Sequence, residues 1–173
     1  MKFGLTLRDP TAETTSALRP RARPLETLAG KTLGLMDIGK MRGDEFLDQL
    51  EHQCGVRGIA TRRYKKPTNT RVAPQDLLAD IASNCDAVVI ALSDCGSCTS
   101  CSTHDLNELD KKGLPGVSVL TVEFKHAFEQ QLSAIGLDAV SVFVPHPIQN
   151  KTTAELHAFA DQCIDRILSA VAE

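Results

Sequence analysis

Tryptophan is absent from this 173-residue chain, tyrosine occurs once, and aromatics of all kinds make up 4%. So thin a supply leaves no platform on which unpaired bases could stack, which argues against single-stranded nucleic acid as a partner. An excess of positive charge is missing too. Nineteen Lys and Arg stand against 22 Asp and Glu, for a net charge of −3. Neither a phosphate backbone nor an acidic membrane face would be drawn to such a surface. No apolar run approaches the roughly 20 residues that cross a bilayer. The opening MKFGLTLRDP has one Lys and a short apolar stretch cut off by Arg8, Asp9 and Pro10, so it lacks the hydrophobic segment of a secretory signal. The expectations are no nucleic acid, no membrane and a cytoplasmic location, where thiols stay reduced.

What is present is ordinary for a globular protein: 42% hydrophobic and 24% charged residues, in a chain long enough for one domain with a full core. Residues 1–30 stand apart. They carry Pro10, Pro20 and Pro24 among scattered Thr, Ser and Arg, with no sustained period. They read as an N-terminal extended arm with a short strand at residues 2–7. The arm is expected to lie on a neighbouring subunit, since FGLTL and the leucines at 18, 25 and 28 would otherwise be bare.

Residues 31–173 alternate regularly and read as a single α/β domain. KTLGLMDI (31–38) is a strand by length and flanks, and GDEFLDQLEHQCG (43–55) sets Phe46, Leu47, Leu50 and Cys54 on one helical face. RGIATRRYK (57–65) is a more polar strand suited to an edge, and PQDLLADIASNC (74–85) is an amphipathic helix. DAVVIALS (86–93) is the most apolar run and reads as a central strand. A helix at 103–113, a strand at 116–123, a helix at 125–136, a strand at 139–145 and a helix at 153–173 complete the series. Five strands alternating with helices predict a flavodoxin-like, Rossmann-like three-layer sandwich with a mainly parallel sheet ordered 2-1-3-4-5. In such sheets the site lies beyond the carboxyl ends of the strands, where the first and third strands part. The two loops that meet there are DIGKMRG (37–43) and SDCGSCTSCS (93–102).

Of six cysteines, Cys54, Cys85 and Cys163 are isolated and read as small core residues. Cys95, Cys98 and Cys101 recur at three-residue spacing, with His104 three further on. Three uses compete for that pattern. Cys95 could attack and Cys98 resolve, as a dithiol whose Cys98 or Cys101 should fall at a helix start with Cys95 just before it, where free N–H groups favour a thiolate. Cys95, Cys98, Cys101 and His104 could instead hold zinc or an iron–sulfur cluster, although four ligands within ten residues running into a helix make a poor tetrahedral cage. Or the Ser/Thr/Gly-rich turn binds an anion, with the cysteines as filler.

Several neighbours are candidates beside the thiols. Gly96 permits a tight turn, and Ser97, Thr99 and Ser100 can donate to an anionic sulfur or a substrate. Lys40, with Arg42, could bring positive charge across the gap between the two loops. His104 could move a proton for the thiol or ligate metal, while Asp105 more naturally serves the helix terminus. Asp94 would raise the first thiol's pKa unless it points away to organise the loop. Glu123 and His126 after the fourth strand, and His146 between two prolines after the fifth, reach the same rim as substrate contacts.

The loop resembles the UGSC-motif family of selenoproteins and their cysteine homologues, whose signature stands here as Cys95-Gly96-Ser97-Cys98. The resemblance extends loosely through GLMDIGK (34–40), KKP (65–67), 85–105, 113–124 and VPHP (144–147). A family that can carry selenocysteine at the position of Cys95 implies that this atom does chemistry, because lower pKa and easier reduction are of no use to a filler. That implication favours the dithiol use over the metal one without settling a substrate. The reading is a thiol-based oxidoreductase or reductive-cleavage enzyme acting on a small organic or thiol substrate without a bound cofactor, the alternative being a metal-binding module or a subunit of a hetero-oligomeric enzyme. Cys95 and Cys98 would then be catalytic, His104 and Lys40 assisting, with a thioredoxin-like electron donor and a place in a homo- or hetero-oligomer. The third cysteine departs from the family, where an aromatic residue is expected.

Overall fold

The computed structural model of the protein describes residues 18–173, so the strand expected at 2–7 lies outside the described residues. Five strands and five helices alternate: β1 (Thr32–Asp37), α1 (Gly43–Val56), β2 (Ala60–Lys65), α2 (Gln75–Asn84), β3 (Ala87–Ser93), α3 (Gly96–Lys111), β4 (Gly116–Thr121), α4 (Lys125–Ile135), β5 (Val140–Val144) and α5 (Thr153–Val171). All sheet pairings are parallel, and the spatial order is β2-β1-β3-β4-β5. This is the order expected from the alternation, with polar β2 at an edge and β3, buried along its whole length, in the middle.

Strand residues of alternate parity feed two cores. On one face Leu33, Leu35, Val89 and Val117 pack against Phe46 and Leu50 of α1 and Leu156, Cys163 and Ile167 of α5. On the other, Met36, Val88, Ile90 and Leu120 pack against Leu78 and Ile81 of α2, Cys98, Leu106 and Leu109 of α3, and Phe128 of α4. Cys54 and Cys163 belong to the first core and Cys85 to the second, as small apolar residues would. The α3 layer sits very close to β4. A Cβ on Gly116 would stand 2.7 Å from Leu106 Cδ1 and 2.9 Å from Val88 Cγ1. Gly116→Ala is therefore expected to destabilise the fold by about 1–3 kcal/mol through overpacking. Urea unfolding measures it, and an unchanged midpoint would mean that α3 can step back from the sheet freely.

Some boundaries differ from expectation, among them the start of β2, which falls at Ala60 and not at 57. β4 ends at Thr121, and residues Val122–Phe124 form a 3-10 turn. More consequentially, the stretch expected to be a loop at 93–102 is largely helix. Helix α3 starts at Gly96, seven residues before the expected start. Ser and Thr residues, poor in a helix interior, fill its first two turns, and the two threonines satisfy their hydroxyls on the preceding turn. Thr99 Oγ1 donates to the Cys95 carbonyl at 2.8 Å and Thr103 Oγ1 to that of Thr99 at 2.7 Å.

The described part of the segment ahead of β1 lies along its own chain at the amino ends of the strands. Residues Arg19–Pro20 pair with Leu137–Asp138, and Leu25 bridges Ala172. Asp110, near the end of α3, is buried and accepts from the Ala22 N–H at 2.6 Å and from Arg19.

Candidate functional site

At the carboxyl edge β1 and β3 diverge to β2 and β4, and the thiols lie in that gap. The β3–β4 register shifts between Ile90 and Ser93, a bulge that re-aims the chain just before it turns into α3. Cys95 is the N-cap of α3, with extended backbone (φ −150°, ψ 162°), and Cys98 is the third helical residue. The two thiols form a reciprocal cap. Cys95 Sγ accepts the Cys98 N–H at 3.3 Å, and Cys98 Sγ accepts the Cys95 N–H at 3.0 Å. Sulfur here does the work that a hydroxyl and a carboxylate do in a capping box. The Cys98 thiol also donates to the Cys95 carbonyl at 3.1 Å.

The pair is asymmetric. Cys98 has no exposed surface and belongs to the core under α3, whereas Cys95 is half-buried and flanked by exposed Gly96 and Ser97. Burial, then the neighbouring Cys95, push the Cys98 thiol up to about 12. Burial also acts to raise Cys95, but it is outweighed. The Cys98 thiol, the Ser97 hydroxyl at 3.6 Å, the Cys98 N–H and the charge of Lys40 together hold it below the ordinary thiol value. One thiol is thus the better anion and the other the better proton keeper.

Lys40 reaches the site from the loop after β1, its Nζ 2.8 Å from Asp94 Oδ1. Burial disfavours its charge, but Asp94 and the two thiols more than compensate and leave its pKa raised. Asp94, itself buried, is the residue that organises this corner: its charge is spent on Lys40. Arg42 turns away to Glu45, with Nε 2.8 Å from Oε1. Beyond β4 and β5, His146 is exposed at the rim with its Nδ1 3.0 Å from Thr121 Oγ1 and its ring edge-on to Phe124 at 5.8 Å. Glu123 is exposed in the 3-10 turn.

Other expected contributors are not brought to the thiols, and the early start of α3 is the reason. His104 falls in the third helical turn on the exposed side, about 13 Å along the axis from Cys95 at 1.5 Å per residue. Cys101 is half-buried on the helix flank, and burial raises its pKa. Among the described residues, Cys101 and His104 do not join Cys95 and Cys98 as a ligand set; the residue that does so is Asp94. Thr99 is buried and spends its hydroxyl on the helix, and Ser100 Oγ reaches Gln131 at 3.4 Å. Asp105 is not a first-turn residue. It is fully buried, paired with equally buried Lys66 from the loop after β2, and accepts the Ala73 N–H at 2.7 Å. Nothing in KKP marks Lys66 as an interior residue, so this pair was invisible to pattern reading.

The class these features define is a flavodoxin-like α/β protein with a dithiol at the switch point of its sheet. The family follows directly: the model of the UGSC family matches residues 6–173, and the chain belongs to that family. No curated protein matches it. Among solved structures it is similar to a diflavin flavoprotein from Nostoc sp., with 11% identity over 82% of this chain and 93% of that one and a TM-score of 0.45. It is also similar to rubredoxin oxygen:oxidoreductase from Desulfovibrio gigas (13% identity, 86% of this chain and 38% of that one, TM-score 0.46). A third is the sugar isomerase domain of an RpiR transcription factor from Sphaerobacter thermophilus, with 11% identity, 81% and 70% coverage and a TM-score of 0.42. Among the described residues no helix is long and apolar enough to cross a membrane.

Proposed function

We propose that the protein is a thiol-dependent reductase of the cytoplasm, with Cys95 as nucleophile and Cys98 as resolving thiol. The observation that carries this reading is the reciprocal cap, which makes one accessible sulfur acidic and keeps its partner protonated within reach. In the simplest balanced form the Cys95 thiolate attacks one sulfur of a small disulfide R–S–S–R′. A Cys95–S–S–R bond forms and R′S⁻ departs. With Cys95 now neutral, Cys98 loses the neighbour charge that helped hold its proton; the proton passes to the departing thiolate, and Cys98 attacks Cys95 Sγ. The products are the Cys95–Cys98 disulfide, R′SH and RS⁻, and RS⁻ takes back from solvent the proton that Cys95 had released on ionising. The substrate has gained two electrons and two protons, and an external dithiol donor of the thioredoxin type returns them.

Lys40 supplies the positive charge beside the nucleophile, and exposed Gly96 and Ser97 leave the approach open. His146 and Glu123 border the substrate's side of the rim. Cys101 is no resolver for Cys98 in this scheme, because both lie inside a regular helical turn. Cys98→Ser is the decisive variant. Incubated with a small disulfide, it should accumulate a single mixed disulfide on Cys95 by intact-mass and peptide analysis, while the parent protein passes on to the internal disulfide. Adducts spread evenly over Cys95, Cys101 and the core cysteines would end this reading.

A further inference from the structure

The same corner has a second chemical capacity. One sulfur each from Cys95 and Cys98 and a carboxylate oxygen of Asp94 all lie within 4.8 Å of one another. Among the described residues, no other trio of His, Cys, Asp or Glu gathers so closely. Around a zinc ion, with Zn–S about 2.3 Å and Zn–O about 2.0–2.2 Å, tetrahedral ligand atoms stand about 3.5–3.8 Å apart. The present spacing therefore needs a contraction of about 1.3 Å at most, within the reach of side-chain rotation.

The charges also balance. Two thiolates and a carboxylate around a dication sum to −1, and the Lys40 ammonium against Asp94 brings the buried corner to neutrality. Asp94 Oδ1 is buried and has no well-aligned hydrogen bond, only the 2.8 Å ion contact with Lys40. Lys40 is thus placed as the outer partner that orients a ligating carboxylate. The approach from solvent is open beside Cys95: nothing lies within 4 Å of a Cβ built on Gly96, and Ser97 is exposed.

We propose that Asp94, Cys95 and Cys98 form a three-ligand site for a borderline-soft divalent cation, Zn²⁺ above all, with its fourth position open to solvent. This donor set replaces the spaced Cys101 and His104, which the early start of α3 carries away. Metal binding and disulfide chemistry use the same sulfur electron pairs, so a bound ion silences the dithiol and shields it from oxidation. The site itself is independent of the reductase reading; only its inhibitory consequence rests on that reading.

Reduced, metal-free full-length protein titrated anaerobically with Co²⁺ tests the site. One equivalent should produce thiolate-to-cobalt charge-transfer absorption that Zn²⁺ abolishes by displacement. Cys95→Ser and Cys98→Ser should each remove the band, and Asp94→Asn should weaken binding about tenfold or more. Cys101→Ser and His104→Ala should leave it unchanged. Circular dichroism checks each variant, with Cys98→Ala replacing Cys98→Ser if that one unfolds, and the parent titration stands on its own. No saturable band, a band surviving Cys95→Ser, indifference to Asp94→Asn, or loss on removing Cys101 or His104 would each overturn the site. Alkylation separates the two readings. If cobalt binds as expected but metal-free Cys95 labels no faster than the other thiols, the reductase proposal falls and the site stands. If Cys95 labels fast and cobalt finds no site, the reverse holds.

Discussion

Cys95→Ser is expected to lower the alkylation rate of the native, metal-free protein at neutral pH by at least about tenfold. Burial, the first cause in each case, holds Cys54 near 11 and Cys163 at about 12; burial and then the Cys95 neighbour hold Cys98 at about 12. Cys85 and Cys101 are raised as well. Each unit of thiol pKa costs tenfold in thiolate, but a more basic thiolate is intrinsically the better nucleophile, which returns about half of that logarithm. With Cys95 held below the ordinary thiol value and the core thiols well above it, ionisation favours Cys95, and occlusion of the buried sulfurs adds to the difference. The rate on Cys95 should climb with pH and level off above a midpoint below the ordinary thiol value. Lys40→Met should move that midpoint up, because it removes a charge that favours the anion. In denaturant all six cysteines should react alike. Iodoacetamide labelling with peptide-level readout measures all of this, and a native protein in which Cys101 keeps pace with Cys95 would refute it.

The second large effect concerns stability. Lys66 and Asp105 are each about 1% exposed at the side chain, and the Asp105 carboxylate also holds the Ala73 N–H. Lys66→Met should cost about 3–5 kcal/mol in urea unfolding, because it strands a buried carboxylate without its counter-charge. Lys66→Met combined with Asp105→Asn should recover most of the loss. The amide oxygen still accepts from Ala73, and no ion is left inside. A single-variant loss below about 1 kcal/mol would show that water reaches the pair.

The edge position of β2 and the core faces of α1 were legible from composition and hydrophobic period, since those elements are held by burial of apolar stripes, and the strand order followed from the strand–helix alternation, right-handed crossovers and the flavodoxin-like arrangement. So was the meeting of Lys40 with the cysteine loop, because a parallel sheet leaves one place for the loops after β1 and β3 to meet. The start of α3 was not. Gly-Ser-Cys-Thr-Ser-Cys-Ser-Thr has the composition of a turn; the sulfur cap that starts the helix has no periodic signature, and neither do the bonds by which Thr99 and Thr103 satisfy their hydroxyls on the preceding turn. That one shift accounts for the displaced roles of His104, Cys101 and Asp105. Lys66 was missed for a different reason: a lysine beside another lysine and a proline looks like surface, and only the tertiary partner makes it interior.

The strap at the foot of the molecule has a practical corollary. Leu25 N–H bonds to the Val171 carbonyl and Glu173 N–H bonds back to Leu25, so residue 173 is zipped to the segment ahead of β1. Strands of this length hold that seam about 20 Å from the opposite edge. A tether attached at Glu173 therefore leaves from the opposite edge of the sheet to Cys95, so the protein can be immobilised there with that thiol still facing solvent.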